Sequence, residues 1–211
     1  MRVTKKLKEE QLRILEETYK GAKPELIFGS PFELLVAVIL SAQCTDKRVN
    51  MVTSRLFKKA NTPEAILAMG LPALETEIHE CGFYHNKAKN ILAACQMLCD
   101  KYGGEVPNDY ESLLALPGVG RKTANVVMSV AFNYPAIAVD THVFRISNRL
   151  KLATGDTPLE VEKGLQSSIP MEKWSDAHHW LIWHGRRVCK SRNPRCHECP
   201  LAEVCPSRVT Q

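Results

Sequence analysis

Apolar positions along this chain recur at helical rather than strand spacing, and the helix punctuation agrees with them. Near the N-terminus Leu7, Leu12, Ile14 and Leu15 follow a helical pattern among mixed acids and bases. Ser30-Pro31-Phe32-Glu33 reads as a helix start, with Ser at the cap, Pro at the first position and Glu three residues after the Ser. It opens onto the aliphatic run 34–40. Thr62-Pro63 marks another start, and Asn108 with Glu111 has the form of a further cap. Residues 87–102 read as a helix, and Ala124, Val127, Met128 and Ala131 line one face of 121–132. Val143, Ile146 and Leu150 line another face. Alternating strand patterns are scarce, and 136–139 is at most a short extended segment. With a break expected at Asn133-Tyr134-Pro135, the pattern predicts an all-α protein of two compact helical lobes.

Composition narrows the function classes. The 211 residues suffice for one large or two small domains. A net charge of +5 is mildly basic and compatible with a polyanionic partner. The first twenty residues lack the apolar core of a signal peptide. The 34–40 run falls far short of the roughly 20 residues needed to span a bilayer. A soluble, cytoplasmic protein with no membrane partner is expected. Of eight cysteines, Cys44, Cys81, Cys95 and Cys99 are scattered, and the last two, four apart on a helix, read as buried thiols on one face. Cys189, Cys196, Cys199 and Cys205 form a group, and in a reducing compartment a metal or cluster site explains them better than disulfides.

Three stretches carry candidate chemistry. In Leu116-Pro117-Gly118-Val119-Gly120-Arg121-Lys122-Thr123-Ala124, Pro117 stops the preceding segment. Gly118 and Gly120 allow a sharp turn and close backbone approach to a ligand. The turn opens onto a helix whose free N–H groups suit an anion. Lys122 lies opposite the stripe of Ala124, Val127, Met128 and Ala131 and points away from the packed face. The glycine spacing alone fits a plain turn with a solvated lysine equally well. It matches neither a nucleotide P-loop nor a dinucleotide fingerprint. Asp140, in Val139-Asp140-Thr141-His142-Val143, sits at a helix start, where it can cap and stay ionised with one oxygen free. The spacing C-x6-C-x2-C-x5-C suits zinc or an iron–sulfur cluster, with the cluster preferred because only one CxxC knuckle is present. Arg186, Arg187, Lys190, Arg192 and Arg195 crowd it, as a solvated face or a phosphate-docking surface.

In this order, LPGVGRKTA, VDTHVFR and the cysteine spacing, with LLVAVILSAQCTD before them, closely resemble the endonuclease III family over nearly the whole chain. These are helix-hairpin-helix DNA glycosylases with a C-terminal [4Fe–4S] cluster loop. The resemblance implies a helical lobe at 23–133 carrying the hairpin, and a second lobe from 1–22 and 134–211 with the cluster loop at 189–205. It implies a base-excision repair enzyme, a bifunctional N-glycosylase and AP lyase acting on oxidised pyrimidines in double-stranded DNA. Such an enzyme flips the damaged nucleotide out of the duplex before attack. Lys122 would be the Schiff-base nucleophile and Asp140 the stabiliser of the cationic transition state, with strand cleavage 3′ to the abasic site by β-elimination. Cys189, Cys196, Cys199 and Cys205 would hold the cluster. DNA contacts would come from Gly118, Val119, Gly120, Arg121, Thr123, His142, Arg186 and Lys190. Gln43 would fill the gap left by the flipped base, and Phe83 stands where the family commonly has a leucine wedge. A nucleoid-associated monomer is expected. His178, His179 and His184 read as structural or DNA-facing. An adenine-mismatch glycosylase, which typically lacks the lysine, and a zinc-stapled DNA-binding module, which leaves the Lys–Asp pair without a purpose, are the rival readings.

Overall fold

The computed structural model describes residues 3–209, and among them every regular element is helical. Residues 1–2 and 210–211, the extremities of the expected second lobe, lie outside the described residues. The chain divides into two compact units, Pro24–Tyr134 and the remainder on either side of it. Each boundary lies one residue beyond the expected one. Tyr134 belongs to the central unit because its N–H, like that of left-handed Asn133, closes a helix end on Met128 O, at 3.0 Å.

Helix α1 (Lys5–Thr18) belongs to the split unit, and the next six helices build the central one. These are α2 (Pro31–Leu40), α3 (Asp46–Lys59), α4 (Pro63–Ile78), α5 (Tyr84–Tyr102), α6 (Tyr110–Ala115) and α7 (Arg121–Phe132). Phe32 and all of Leu34 to Leu40 are buried, so α2 is apolar on every side and sits at the centre of the unit. Helices α3, α5 and α7 pack around it. Ser30 Oγ accepts from Glu33 N at 3.1 Å, while Glu33 Oε2 reaches back to Gly29 N at 2.6 Å. Thr62 caps α4, which kinks at Gly70 ahead of Pro72. The cap of α6 is Asp109 rather than Asn108: its Oδ1 accepts from Ser112 N at 2.8 Å, the three-residue offset that an N-cap needs. Cys95 is buried, but Cys99 is only half-buried, and its thiol lies 3.6 Å from Glu64 Oε1.

In the split unit, α8 (Thr141–Leu150), α9 (Pro158–Ser168) and α10 (Trp174–Arg187) join α1 around Leu15, Val143, Ile146, Leu150, Leu165 and Leu181. Residues 136–139 are buried and lie outside any helix, and they lead directly into Asp140. After α10 the described residues hold only two short 3-10 turns, Cys196–Glu198 and Ala202–Val204, anchored on buried Leu201. Among the described residues no helix is long and apolar enough to cross a membrane.

Candidate functional site

The α6–α7 turn is a hairpin with unused backbone donors. Gly118 stands at φ +78, whereas Gly120 is extended, so only the first glycine is required for its backbone angle. A Cβ on Gly118 would lie 2.9 Å from Asn90 Cβ. Gly118→Ala combines that collision with left-handed strain, and a loss of about 2 kcal/mol in thermal or urea unfolding is expected. Val119 departs from expectation: its side chain is buried and its N–H donates to Leu116 O at 3.1 Å, so it has no amide to offer a phosphate. Ala124 N donates to Gly120 O at 2.9 Å, and no side chain caps α7. The amides of Gly118, Gly120, Lys122 and Thr123 therefore find no acceptor among the described residues. They face outward at the positive end of the α7 dipole, which is a ready anion site. Arg121 lies over the Tyr110 ring, 5.6 Å from its centroid. Lys122 is exposed, and its Nζ makes no hydrogen bond or ion pair among the described residues.

Gln43 and Phe83 come together in the same unit. Gln43 ends the turn after α2 and Phe83 is the N-cap of α5; both are exposed and both adopt left-handed backbone, at φ 53 and 58. A Cβ on Gly82 would lie 3.6 Å from Gln43 O, so the two turns touch. Strained backbone beneath exposed side chains is a common mark of functional positions. Lys87, which the sequence reading passed over, is buried beneath this pair. Burial lowers its pKa, and the neighbouring Cys81 and Cys44 thiols oppose that shift.

In the split unit Asp140 is the N-cap of α8. Its Oδ1 accepts from Val143 N at 2.7 Å, which leaves Oδ2 without a hydrogen bond among the described residues. His142, half-buried, accepts through Nδ1 from Arg145 Nη2 at 3.2 Å. Burial lowers the His142 pKa, with the Asp140 carboxylate opposing and Arg145 and Arg186 reinforcing. Gly185 packs against His142, which brings Arg186 to this face of α8. Lys190 is exposed just beyond. Lys122 and Asp140 thus belong to different units.

The four grouped cysteines are free thiols that line one cavity of about 140 Å³. Among the described residues no three His, Cys, Asp or Glu side chains converge as a single metal ion requires. A ring of thiols around a cavity fits a multi-atom cluster better than one zinc ion. Burial pushes the Cys199 thiol up to about 11 and raises that of Cys205. These sulfurs become thiolates only with positive charge beside them, which iron provides. Two arginines that the sequence reading missed hold the loop. Arg145 Nη2 donates to Gly185 O and Cys189 O at 3.0 and 3.1 Å. Arg149 Nη1 donates to Lys190 O at 2.7 Å and to Cys189 Sγ at 3.2 Å. Their spacing with His142 along one face of α8 was a readable signal. His184, buried and bonded through Nδ1 to Tyr19 OH at 2.9 Å, sets Nε2 at 3.8 Å from Cys199 Sγ. His178 is also structural, with Nδ1 2.8 Å from Ala138 O.

Comparison with known proteins agrees with this geometry. Residues 36–171 match the family described as HhH-GPD superfamily base excision DNA repair protein. Residues 189–205 match the iron–sulfur binding domain of endonuclease III. Endonuclease III of Bacillus subtilis (strain 168) is 55% identical over 190 residues, spanning 90% of this chain and 87% of the relative. Endonuclease III of Escherichia coli (strain K12) is 50% identical over 196 residues, 93% of each chain. A solved structure of a trapped endonuclease III–DNA covalent intermediate, an estranged-adenine complex, superposes with a TM-score of 0.94 at 52% identity. It covers 98% of this chain and 97% of its own.

Proposed function

Because the chain belongs to the endonuclease III family within the HhH-GPD base excision DNA repair superfamily, we propose that Lys122 is its nucleophile and Asp140 its charge-stabilising carboxylate. The protein is a DNA glycosylase and AP lyase, and its [4Fe–4S] cluster belongs to the 189–205 loop. The observation that carries the assignment is the hairpin: an exposed primary amine, at the second position of a helix, that pairs with nothing among the described residues, beside Gly120, Lys122 and Thr123 amides that also find no acceptor there. The amides of Gly118, Gly120 and Thr123 hold the DNA backbone, and the amine stands beside it. Arg121, Arg186 and Lys190 add positive charge for phosphates, and His142 borders the carboxylate.

The chemistry follows from the groups. A damaged pyrimidine inside a duplex is shielded, so the nucleotide swings out of the stack first. The neutral amine of Lys122 attacks C1′, the C1′–N1 bond breaks, and the base departs with the bonding electrons and a proton. Positive charge develops on the sugar in that step, and the ionised Asp140 carboxylate stabilises it. The sugar ring then opens: the nitrogen lone pair forms the C1′=N bond as the C1′–O4′ bond breaks, O4′ takes up a proton from solvent, and the nitrogen keeps its remaining hydrogen as a protonated imine. A C2′ proton then leaves, and the 3′ phosphate is expelled by β-elimination. Water releases the lysine. Gln43 and Phe83 occupy the space that the flipped nucleotide vacates. Cys189, Cys196, Cys199 and Cys205 hold the cluster, which supplies a covalent cross-link for the loop. The substrates are oxidised or ring-saturated pyrimidines such as thymine glycol, and the protein acts as a cytoplasmic monomer on nucleoid DNA.

Borohydride added to the protein with a thymine-glycol duplex is expected to yield a covalent protein–DNA adduct; its absence would sink the lyase mechanism. Asp140→Asn separates charge from capping. Asparagine caps as well as aspartate, so the melting temperature is expected to hold within about 2 °C. Turnover is expected to fall at least about a hundredfold, because the negative charge is gone. Equal turnover in the two proteins would remove Asp140 from the chemistry.

A further inference from the structure

A lysine buried under an exposed turn needs a reason, since burial of an ammonium is unfavourable unless its protons are bonded. Lys87 is 6% exposed, and its Nζ donates to Leu40 O at 2.8 Å and Ala42 O at 2.7 Å. These carbonyls lie at and just beyond the C-terminus of α2, where helix carbonyls lack partners and the dipole favours a cation. Closure of α2 has other devices, however. Ser41 N–H bonds back to Ala37 O, and Ser41 Oγ donates to Val38 O. What the lysine adds is control of the next residue. The Ala42 carbonyl shares a rigid peptide plane with the Gln43 N–H, so clamping it sets the approach to Gln43, held at φ 53. The backbone N–H of the same lysine donates to Phe83 O at 3.2 Å, the first bond of α5, beneath Phe83 at φ 58. One residue therefore ties down both left-handed turns.

We propose that Lys87 is a positioning residue for duplex invasion: its ammonium and its amide hold Gln43 and Phe83 in the conformation that enters the base stack. This rests on the reading of those two residues as the gap-filling pair. The role concerns the opposite strand and the vacated stack, so it is felt on duplex and not on a single strand, where nothing has to be displaced.

The test is kcat/KM for strand cleavage on a thymine-glycol duplex and on the same lesion in a single-stranded oligonucleotide. In Lys87→Met the ratio of duplex to single-strand kcat/KM is expected to fall at least tenfold. In Lys87→Gln, which can still serve one carbonyl, it is expected to fall less. Equal loss on both substrates marks a merely structural lysine and overturns the proposal, as does loss on neither. Should Lys87→Met not fold, the ratio in Lys87→Gln decides by the same criterion. Gln43→Ala and Phe83→Ala are measured alongside. If they lower the ratio and the Lys87 variants do not, the Lys87 assignment alone falls. If they leave the ratio unchanged, the gap-filling reading falls and takes the assignment with it.

Discussion

Lys122→Gln is expected to abolish the borohydride-trapped adduct and to lower strand cleavage at thymine glycol by at least about a thousandfold, the scale seen when a covalent nucleophile is removed. The fold should not notice. Lys122 is exposed and its Nζ bonds nothing among the described residues, so no contact is lost. Unfolding free energy is expected to change by no more than about 0.5 kcal/mol. DNA affinity is expected to fall only modestly, because the amides of Gly118, Gly120 and Thr123 remain. The sharper comparison is Lys122→Arg. A guanidinium keeps the charge and the reach to a phosphate, but it does not deprotonate to form an imine. A nucleophilic lysine makes the arginine variant as inactive as the glutamine one. A clamping lysine makes it nearly as active as the parent protein. Single-turnover cleavage with excess enzyme separates the two, since binding is then saturated and only the chemical step is read.

Local signals made the hairpin and the Asp140 cap legible. A proline stop, a glycine at φ +78 and an apolar stripe in phase with Ala124 need only neighbouring residues to be recognised. Asp140 was readable for the same reason, because Val143, Ile146 and Leu150 fix where α8 begins. The sequence reading placed a cap at Asn108, and phase with Ser112 puts it at Asp109, an equally good capping residue one position on. The internal bond of Val119 to Leu116 depends on how the turn closes, which composition does not encode. Lys87 lay furthest from view. Its side-chain partners stand 45 and 47 positions away, and a lysine on an amphipathic helix reads as part of the wet face. The same distance hid Arg145 and Arg149, whose acceptors are carbonyls some 40 residues downstream.

The cysteine loop carries the largest expected effect on stability. Beyond α10 the described chain holds two 3-10 turns of three residues each and one side chain, Leu201, that is fully buried. Its hydrogen bonds to α8 come chiefly from Arg145 and Arg149, which grip the first turn of the loop, while the later part is tied back by few side-chain bonds, among them Gln11 Nε2 to Val204 O and Ser207 Oγ to Arg149 O, both at 2.8 Å. A cross-link that binds only the folded loop contributes its binding energy to folding. Cys199→Ala is therefore expected to lose bound iron and the absorbance near 400 nm that this class of cluster shows. The melting temperature is expected to fall by roughly 10–20 °C, the equivalent of about 5 kcal/mol in a chain of this size. Limited proteolysis is expected to cut between 190 and 205, and DNA affinity to fall with a shallower salt dependence as Lys190 and its neighbours lose their fixed positions. Cys95→Ala is the control. It empties a small apolar site in the other unit and is expected to cost about 1–2 kcal/mol with iron and absorbance intact. Full iron content in Cys199→Ala would show that the cluster does not depend on that thiol, and the four-cysteine assignment would then have to be redrawn.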